Sequence, residues 1–155
     1  MKFDDYYDSA RPYIACFVVL RRGNKIAMVL RKNTAWMNDH YGLPAGKVEW
    51  GENYLKAAKR EAKEEAGVEI KTGDLSFAHV THRHAPNGDK FMDWVDIYFK
   101  ADNWTGEPHN AEPSKSGRLD WLDLNKLPKN IVPSQRAALE EIEKGRQYSE
   151  FGWEG

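Results

Sequence analysis

The chain has 155 residues, of which 41% are hydrophobic and 30% are charged, and its formal net charge is −1 at pH 7. These values are typical of a globular domain, and such a small net charge excludes a general field for capturing nucleic acids. The longest apolar run, residues 13–20, is too short to span a bilayer, and the polar first residues contain no secretory signal. We therefore expect a cytoplasmic protein with no nucleic-acid or membrane partner, built as a single domain over residues 1–155 with its core at about 12–147.

The first third of the chain predicts a β-hairpin that leads into a short strand. Residues 12–21 and 25–32 are expected to be strands joined across Arg22-Gly23-Asn24, a sequence typical of a tight turn. Residues 1–11 predict an irregular arm, and a further short strand is expected within residues 42–48. Cys16 lies inside the first strand and predicts a buried thiol; as the only cysteine it excludes an intramolecular disulfide.

A helix is predicted over residues 54–66, which are rich in Ala, Lys, Glu and Leu. Asn53 is expected to cap its N-terminus and Gly67 to end it. At about 100° per residue, four apolar side chains fall on one stripe that should pack on a sheet. These are Leu55, Ala58, Ala62 and Ala66.

Three carboxylates of this helix cluster on a different face. Glu61, Glu64 and Glu65 stand at i, i+3 and i+4, so they repel one another unless a cation lies among them, and hard divalent ions prefer such oxygen ligands. The alternative is a solvated face held by pairs such as Arg60–Glu64. The preceding loop, residues 43–52, favours the ion site, because its glycines let backbone carbonyls and side chains converge on one point.

The sequence of the second half of the chain predicts more strands and a closing helix. Residues 75–84 and 91–101 are expected to be strands joined through a turn at 86–89, and residues 119–122 a short strand. Strands on both sides of an internal helix, together with a closing helix, predict an α/β fold with a mixed sheet and helices on both faces.

The closing helix is predicted to start with Ser134 as its cap and to run to about residue 147. Ala137, Ala138 and Ile142 are spaced for one buried side. The tail, residues 148–155, is expected either to cap the domain or to meet a partner subunit.

Residues 46–68, GKVEWGENYLKAAKREAKEEAGV, resemble the Nudix box, the signature of hydrolases that cleave a diphosphate linked to another moiety. Ala62 departs mildly from the pattern, which prefers a larger aliphatic residue there. The resemblance runs from about residue 12 to 145 and implies an α/β/α sandwich with a mixed central sheet. The matching positions are Gly46, Glu52, Arg60, Glu61, Glu64, Glu65, Gly67 and Val68.

The resemblance also implies roles for these residues. Mg²⁺, or alternatively Mn²⁺, would be held by Glu61, Glu64 and Glu65 with the Gly46 carbonyl. Arg60 would orient Glu61, and Glu52 would fix the helix start or assist the metal site. The general base would be one of the motif glutamates or Glu112, a loop acid in a downstream region that resembles that of nucleoside-triphosphate-cleaving members. The alternative for Glu112 is an exposed acid beside a turn-forming proline.

Substrate contacts are predicted from residue type. Lys47 and Arg83 could reach a phosphate. A nucleobase needs stacking surfaces and hydrogen-bonding edges, although strand aromatics are usually core residues and loop asparagines usually form turns. His82 and His84 share a strand face and could bind a transition metal, but a half-exposed polar face is the favoured interpretation. The stacking candidates are Trp36, Tyr41, Trp94 and Trp104, and the edge-reading candidates are Asn33, Asn130, Ser134 and Gln135.

Three functions follow from the sequence. The first is a Mg²⁺-dependent hydrolase that converts a small nucleotide, a (deoxy)nucleoside triphosphate, into the monophosphate and pyrophosphate, with oxidised or non-standard nucleotides as candidate substrates. The second is an ADP-ribose or nucleotide-sugar pyrophosphatase. The third is a nucleotide-binding sensor without turnover. The first is favoured because the proline of ADP-ribose-cleaving members is missing from its usual place, the nearest being Pro86. The sequence leaves nucleobase and oligomeric state open.

Overall fold

A mixed eight-stranded sheet carries one α-helix on each face. The structure is a computed structural model and describes residues 9–153. Its helices are α1 (Tyr54–Ala66) and α2 (Pro133–Glu143), with a 3₁₀ turn at Thr72–Asp74. Its strands are β1 (Tyr13–Arg22), β2 (Lys25–Arg31), β3 (Tyr41–Gly42), β4 (Ala45–Lys47), β5 (Ser76–Asn87), β6 (Lys90–Ala101), β7 (Ser116–Asp123) and β8 (Tyr148–Phe151).

Strand β1 is the centre of the sheet, whose order is β3-β2-β1-β6-β5-β8. It pairs with β6 in parallel along most of its length, but with β2 only at its last two residues. The hydrogen-bonding edge that β2 leaves unused is taken by the short strand β4, which places Gly46 opposite Cys16. The pairing therefore brings the loop before α1 to the middle of the sheet.

The side chains of β1 alternate between two cores, as expected for a strand buried on both faces. Cys16, Val18 and Leu20 pack with α1, while Phe17 and Val19 pack on the α2 side. Helix α1 contributes small residues, which let its backbone lie close to the sheet. The buried ones are Ala57, Ala58, Ala62 and Ala66.

This arrangement confirms the predicted α/β/α sandwich with a mixed central sheet. The predicted stripe on α1 is confirmed as well, with Leu55 half-buried at its start. Cys16 is fully buried, as predicted, and burial raises the pKa of its thiol to about 12. In the described part of the chain, no helix is long and apolar enough to cross a membrane.

Two strand predictions were too short. Strand β5 continues to Asn87 and β6 begins at Lys90, so Pro86 lies in the strand opposite Phe91 and only Gly88 and Asp89 form the turn. Gly88 has a φ of 66°, a left-handed conformation that glycine adopts without strain. Strand β7 extends over eight residues because β2 pairs with it along its whole length, a tertiary contact that local sequence does not show.

The prediction for the closing helix was wrong at both ends. Val132 is the N-cap and Pro133 the first helical residue, a position where proline's missing N–H has no cost. Ser134 therefore lies inside α2, where it is buried. The helix ends at Glu143, before Gly145, which has a φ of 74°.

The tail forms β8, which pairs in parallel with β5 at the sheet edge. This placement caps the domain, as one of the two alternatives predicted. The predicted irregular arm, apart from residues 9–11, and the last two residues of the tail lie outside the described residues.

Candidate active site

Both ends of α1 are fixed by the residues that the sequence predicts. The Asn53 side chain accepts a hydrogen bond from the Lys56 N–H at 2.9 Å. At the other end Gly67 has a φ of 71° and donates its N–H to the Lys63 carbonyl at 3.0 Å. A side chain at Gly67 would also overlap the His109 ring. The caps set where the helix starts and stops, and so fix which way its three carboxylates point.

Arg60 joins the loop to the helix. Its guanidinium donates to both oxygens of Glu52, at 2.7 and 3.0 Å, and to the Lys47 carbonyl at 3.1 Å. Its Nη1 donates to Glu61 at 2.6 Å. The hydrogen bond from Arg60 lowers the pKa of Glu52 below its ordinary value. Glu52 thus ties the loop to Arg60, and Arg60 holds the Glu61 carboxylate in one orientation.

Gly46 leaves the space that the Glu61 carboxylate fills. Glu61 is only 7% exposed, and a Cβ placed on Gly46 would overlap its carboxylate. The side chain of Glu61 therefore lies directly against the backbone of β4. A residue with any side chain at position 46 would displace it.

Glu65 is a partly buried carboxylate, and it accepts a hydrogen bond from the Ala45 N–H at 3.1 Å. Burial raises the pKa of Glu65 to about 8, and the negative charge of Glu61 adds to the rise. Burial also raises the pKa of Glu61, although Arg60 opposes it. The cluster is thus costly to ionise without added positive charge.

The donor set fits a hard divalent cation, because carboxylate oxygens and the Gly46 carbonyl are the ligands that such ions prefer. Across residues 9–153, however, no three acidic, histidine or cysteine side chains already converge as ligands on one point. Arg60 Nη1 lies between Glu61 and Glu64, at 2.6 and 3.4 Å from their oxygens. Ion binding would therefore draw these carboxylates partly away from Arg60.

The loop that carries Glu112 packs on the last turn of α1. The His109 N–H donates to the Ala66 carbonyl at 3.0 Å, and the Ala111 N–H to the Glu65 carbonyl at 3.4 Å. These are among the carbonyls that a helix end leaves without internal partners. Glu112 pairs with Lys115 at 3.3 Å, and its charge contributes to the raised pKa values of Glu61 and Glu65. The structure therefore places Glu112 beside the motif carboxylates.

The same loop is held at its other end by Arg22. The guanidinium donates to both oxygens of Glu107 at 2.8 Å and lies over the rings of Trp104 and Trp121. Trp104, a candidate for base stacking, packs instead against Trp121 and the α1 core.

A cavity of about 180 Å³ opens beside Gly46. Six of the ten residues predicted to contact substrate line it, among them Lys47, Arg83 and Trp94. The Arg83 guanidinium lies 4.8 Å from the Trp94 ring centre and pairs with Asp96, which is fully buried. Its other lining residues are Ala15, Phe17, Arg31, Trp36, Leu43, Ala45, Gly46, Ser134 and Gln135.

The other predicted contact residues, including Asn33 and Asn130, are not part of this lining. Asn33 lines a neighbouring cavity of about 340 Å³ together with Glu65 and Arg31. Asn130 donates to the Asp39 carbonyl at 2.8 Å and so stabilises a loop, the usual role of a loop asparagine. Arg31 lines both cavities but was not among the predicted residues. Its place in the sequence could have indicated it, because it is a cation at the end of β2, just before the loop that carries Trp36.

The histidine pair is engaged by aromatic and acidic neighbours. His82 packs against Trp153, while His84 stacks on Trp153 and Phe91 and hydrogen-bonds to Asp93 at 2.7 Å. These contacts agree with the favoured interpretation of a partly buried polar face.

Comparison with known proteins gives the family. The model of the NUDIX domain matches residues 10–142. The ADP-ribose pyrophosphatase of Methanocaldococcus jannaschii is 32% identical over 76% of this chain and 66% of its own. A putative 8-oxo-dGTP diphosphatase of Bacillus subtilis is 29% identical over 86% of this chain and 80% of its own. The crystal structure of a MutT NUDIX hydrolase from Burkholderia pseudomallei superposes with a TM-score of 0.74, at 30% identity, covering 84% of this chain and 97% of that one.

Members of this family act on small nucleotide substrates and generally use divalent metals. The match over residues 10–142 agrees with the capped helix, the carboxylates around Arg60 and the glycine against Glu61. The chain belongs to the NUDIX family of hydrolases, which act on phosphoanhydride bonds.

Proposed function

We propose that this hydrolase converts a nucleoside triphosphate into the monophosphate and pyrophosphate with Mg²⁺ as its ion. The observation that carries the proposal is the cavity beside Gly46, which three cationic side chains line next to the motif carboxylates. The negative charge of a triphosphate would lie between the cationic side chains and the ion site, and its nucleoside needs a pocket next to that site. Gly46 links the two, because it lines the cavity and lies against the Glu61 carboxylate.

Glu61, Glu64 and Glu65, with the Gly46 carbonyl, would hold the ion, and Mn²⁺ offers compatible chemistry. A bound divalent ion neutralises phosphate charge and lowers the pKa of bound water. Arg60 keeps Glu61 oriented through its hydrogen bond, and Glu52 keeps Arg60 in place. Lys47, which lines the cavity, would meet a phosphate oxygen.

The general base is assigned by elimination to Glu64 or Glu112. Glu52 and Glu61 receive the short hydrogen bonds from Arg60, and Glu65 is bound to the Ala45 N–H. Glu64 has a half-exposed side chain, and Glu112 lies on the loop that packs on the end of α1. One of these two carboxylates would accept the proton of the attacking water.

A second candidate is cleavage of ADP-ribose or another nucleotide sugar. The relative from Methanocaldococcus jannaschii, named an ADP-ribose pyrophosphatase, favours it at 32% identity. The chemistry at the carboxylates would be the same, and only the group in the cavity would differ.

The test is a panel of nucleoside triphosphates, oxidised triphosphates, ADP-ribose and nucleotide sugars in millimolar Mg²⁺, with products separated by chromatography. Pyrophosphate and a monophosphate from a triphosphate support the first function. Cleavage of the diphosphate sugars alone supports the second. Bound nucleotide without turnover would contradict both and indicate a sensor.

A matched pair of variants ties activity to the site. Glu64→Gln should lower kcat at least a hundredfold, because it removes a candidate ligand or base. Glu140→Gln, at an exposed glutamate of α2, should leave kcat unchanged. Equal activity of the two variants would contradict the assignment of Glu64.

A further inference from the structure

The charged side chains that line the cavity beside Gly46 are all basic. Arg31, Lys47 and Arg83 line it, and among the described residues that do so none is acidic. The nearby carboxylate of Asp96 is fully buried, and both of its oxygens accept hydrogen bonds from Arg83, at 2.5 and 3.1 Å. The cavity is therefore electropositive.

Arg83 is fixed in place. Its Nε and Nη2 are committed to Asp96, and the flat guanidinium lies on the Trp94 ring. One edge of the guanidinium thus meets Asp96 and one face meets Trp94, which leaves Nη1 as the donor for a ligand in the cavity. An arginine held in this way has little conformational freedom to lose when it binds a ligand.

The amide of Gln135 completes the donor set. Its Oε1 accepts the Leu43 N–H at 2.7 Å, so the acceptor end of the side chain is already used. The amide nitrogen remains to donate. Apart from the Ser134 hydroxyl, which can act in either sense, the side-chain polar groups that line the cavity thus offer donors.

The walls of the cavity are flat and aromatic. Phe17, Trp36 and Trp94 line it, and a planar ring can stack on such surfaces. At about 180 Å³ the cavity is smaller than a site for a whole drug-sized ligand and suits a single ring system. A phosphate would satisfy the donors but offers these rings no planar surface on which to stack.

We propose that this cavity selects nucleobases by an oxo edge, and that Arg83, oriented by Asp96, determines that specificity. The keto oxygen of hypoxanthine, guanine or uracil accepts hydrogen bonds, whereas the exocyclic amino group of adenine or cytosine is a donor. An amino group at this place would face the N–H donors of Arg83 and Gln135, and neither side would have an acceptor for its hydrogen bonds. This inference rests on the proposed hydrolysis of nucleoside triphosphates.

The experiment compares substrates that differ only at this edge. ITP and ATP form one pair and UTP and CTP the other, each contrasting an oxo with an amino group. We expect kcat/KM to favour the oxo member of each pair at least tenfold, since one hydrogen bond to a charged donor accounts for such a factor. Equal values, or a preference for ATP and CTP, would overturn the inference.

Variants assign the preference to Arg83. Removing Arg83 alone would strand the buried Asp96 charge, so the variant to use is Arg83→Met combined with Asp96→Leu, which replaces the pair with apolar groups of similar size. We expect this protein to fold and the ITP/ATP ratio to fall towards one. Lys126→Gln, on an exposed loop away from the cavity lining, should keep the wild-type ratio. A double variant that keeps the preference would overturn the role of Arg83.

Binding separates this inference from the proposed function. Calorimetric titration with IMP and AMP, in chelator and without turnover, measures recognition of the base alone. Tighter binding of IMP in a protein that cleaves no triphosphate would refute the proposed function and support the inference. Equal binding of the two, or none, in a protein that does cleave triphosphates would refute the inference and leave the function standing.

Discussion

At the scale of single residues, Gly46 shows why a pattern position is restricted to glycine. Its backbone conformation is not left-handed, so flexibility does not explain the requirement. The reason is space, because the Glu61 carboxylate occupies the place where a Cβ would be. The residue thus connects strand pairing in β4 to the position of a candidate ligand on α1.

Gly46→Ala should therefore damage catalysis more than stability. The Glu61 carboxylate is the flexible end of a side chain and can move aside, so we expect a loss of at most about 2 kcal/mol in the free energy of unfolding. The displaced carboxylate should lower kcat tenfold or more. Denaturant melts and steady-state kinetics measure the two effects.

Gly73→Ala provides the matched control. A Cβ at Gly73 meets no atom within 4 Å, and this glycine has an ordinary φ. Both activity and stability should stay at wild-type values. Full activity of Gly46→Ala would show that Glu61 is not needed where the structure places it.

At the scale of elements, the loop 102–115 positions Glu112 at the end of α1. Its middle is bound to the last carbonyls of the helix, and its start is held by the pair between Arg22 and Glu107. This pair is exposed, and exposed ion pairs contribute little to global stability. Its expected effect is on the placement of the loop.

Arg22→Gln and Glu107→Gln should each lower kcat several-fold with no measurable change in melting temperature. Because both residues act through one contact, the double variant should be no slower than the single ones. Arg21→Gln is the control, since the neighbouring Arg21 pairs instead with Glu143, the last residue of α2. Additive losses in the double variant would contradict a shared positioning role.

The same scale shows what the sequence could predict. Helix α1 was predicted with both of its ends, because Asn53 and Gly67 act on the backbone within one helical turn. The start of α2 was not, because Ser134 has the chemistry of a cap but is drawn into the core beside Gln135. Strand β8 had no local signal, since it exists through its pairing with β5.

The candidate site divides in the same way. The motif carboxylates and Arg60 lie within one loop and helix, so their proximity followed from spacing. The cavity combines side chains from five strands, the loops around them and α2, and its lining depends on sheet order. Residue type alone proposed Arg83 and Trp94 as substrate contacts, and both line the cavity, but it could not distinguish Asn33, which lines a neighbouring cavity, from Asn130.

At the scale of the whole molecule, the carboxylate cluster sets stability against function. Glu61 is buried, Glu65 is partly buried close to it, and Glu112 adds a third negative charge nearby. Crowded like charges destabilise the folded state until a cation binds among them. If the proposed ion site is right, Mg²⁺ binds it only in the folded protein and should raise the melting temperature, by an amount equivalent to about 2.7 kcal/mol at one hundred times its dissociation constant.

Glu65→Gln should separate the two effects. The amide keeps the shape of the side chain and can still accept the Ala45 N–H, but it removes one negative charge from the cluster. In EDTA at pH 7 this variant should melt at a higher temperature than the wild type, because burial and the charge of Glu61 both oppose ionisation of Glu65 in the folded state and the neutral amide avoids that cost. When Mg²⁺ is added, the melting temperature of the variant should rise less than that of the wild type, because one ligand charge is lost.

Thermal melts of both proteins with and without Mg²⁺ give the comparison, and the melting temperature of Glu140→Gln should match that of the wild type in both buffers. If Glu65→Gln melted below the wild type in EDTA, Glu65 would stabilise the ion-free fold rather than destabilise it.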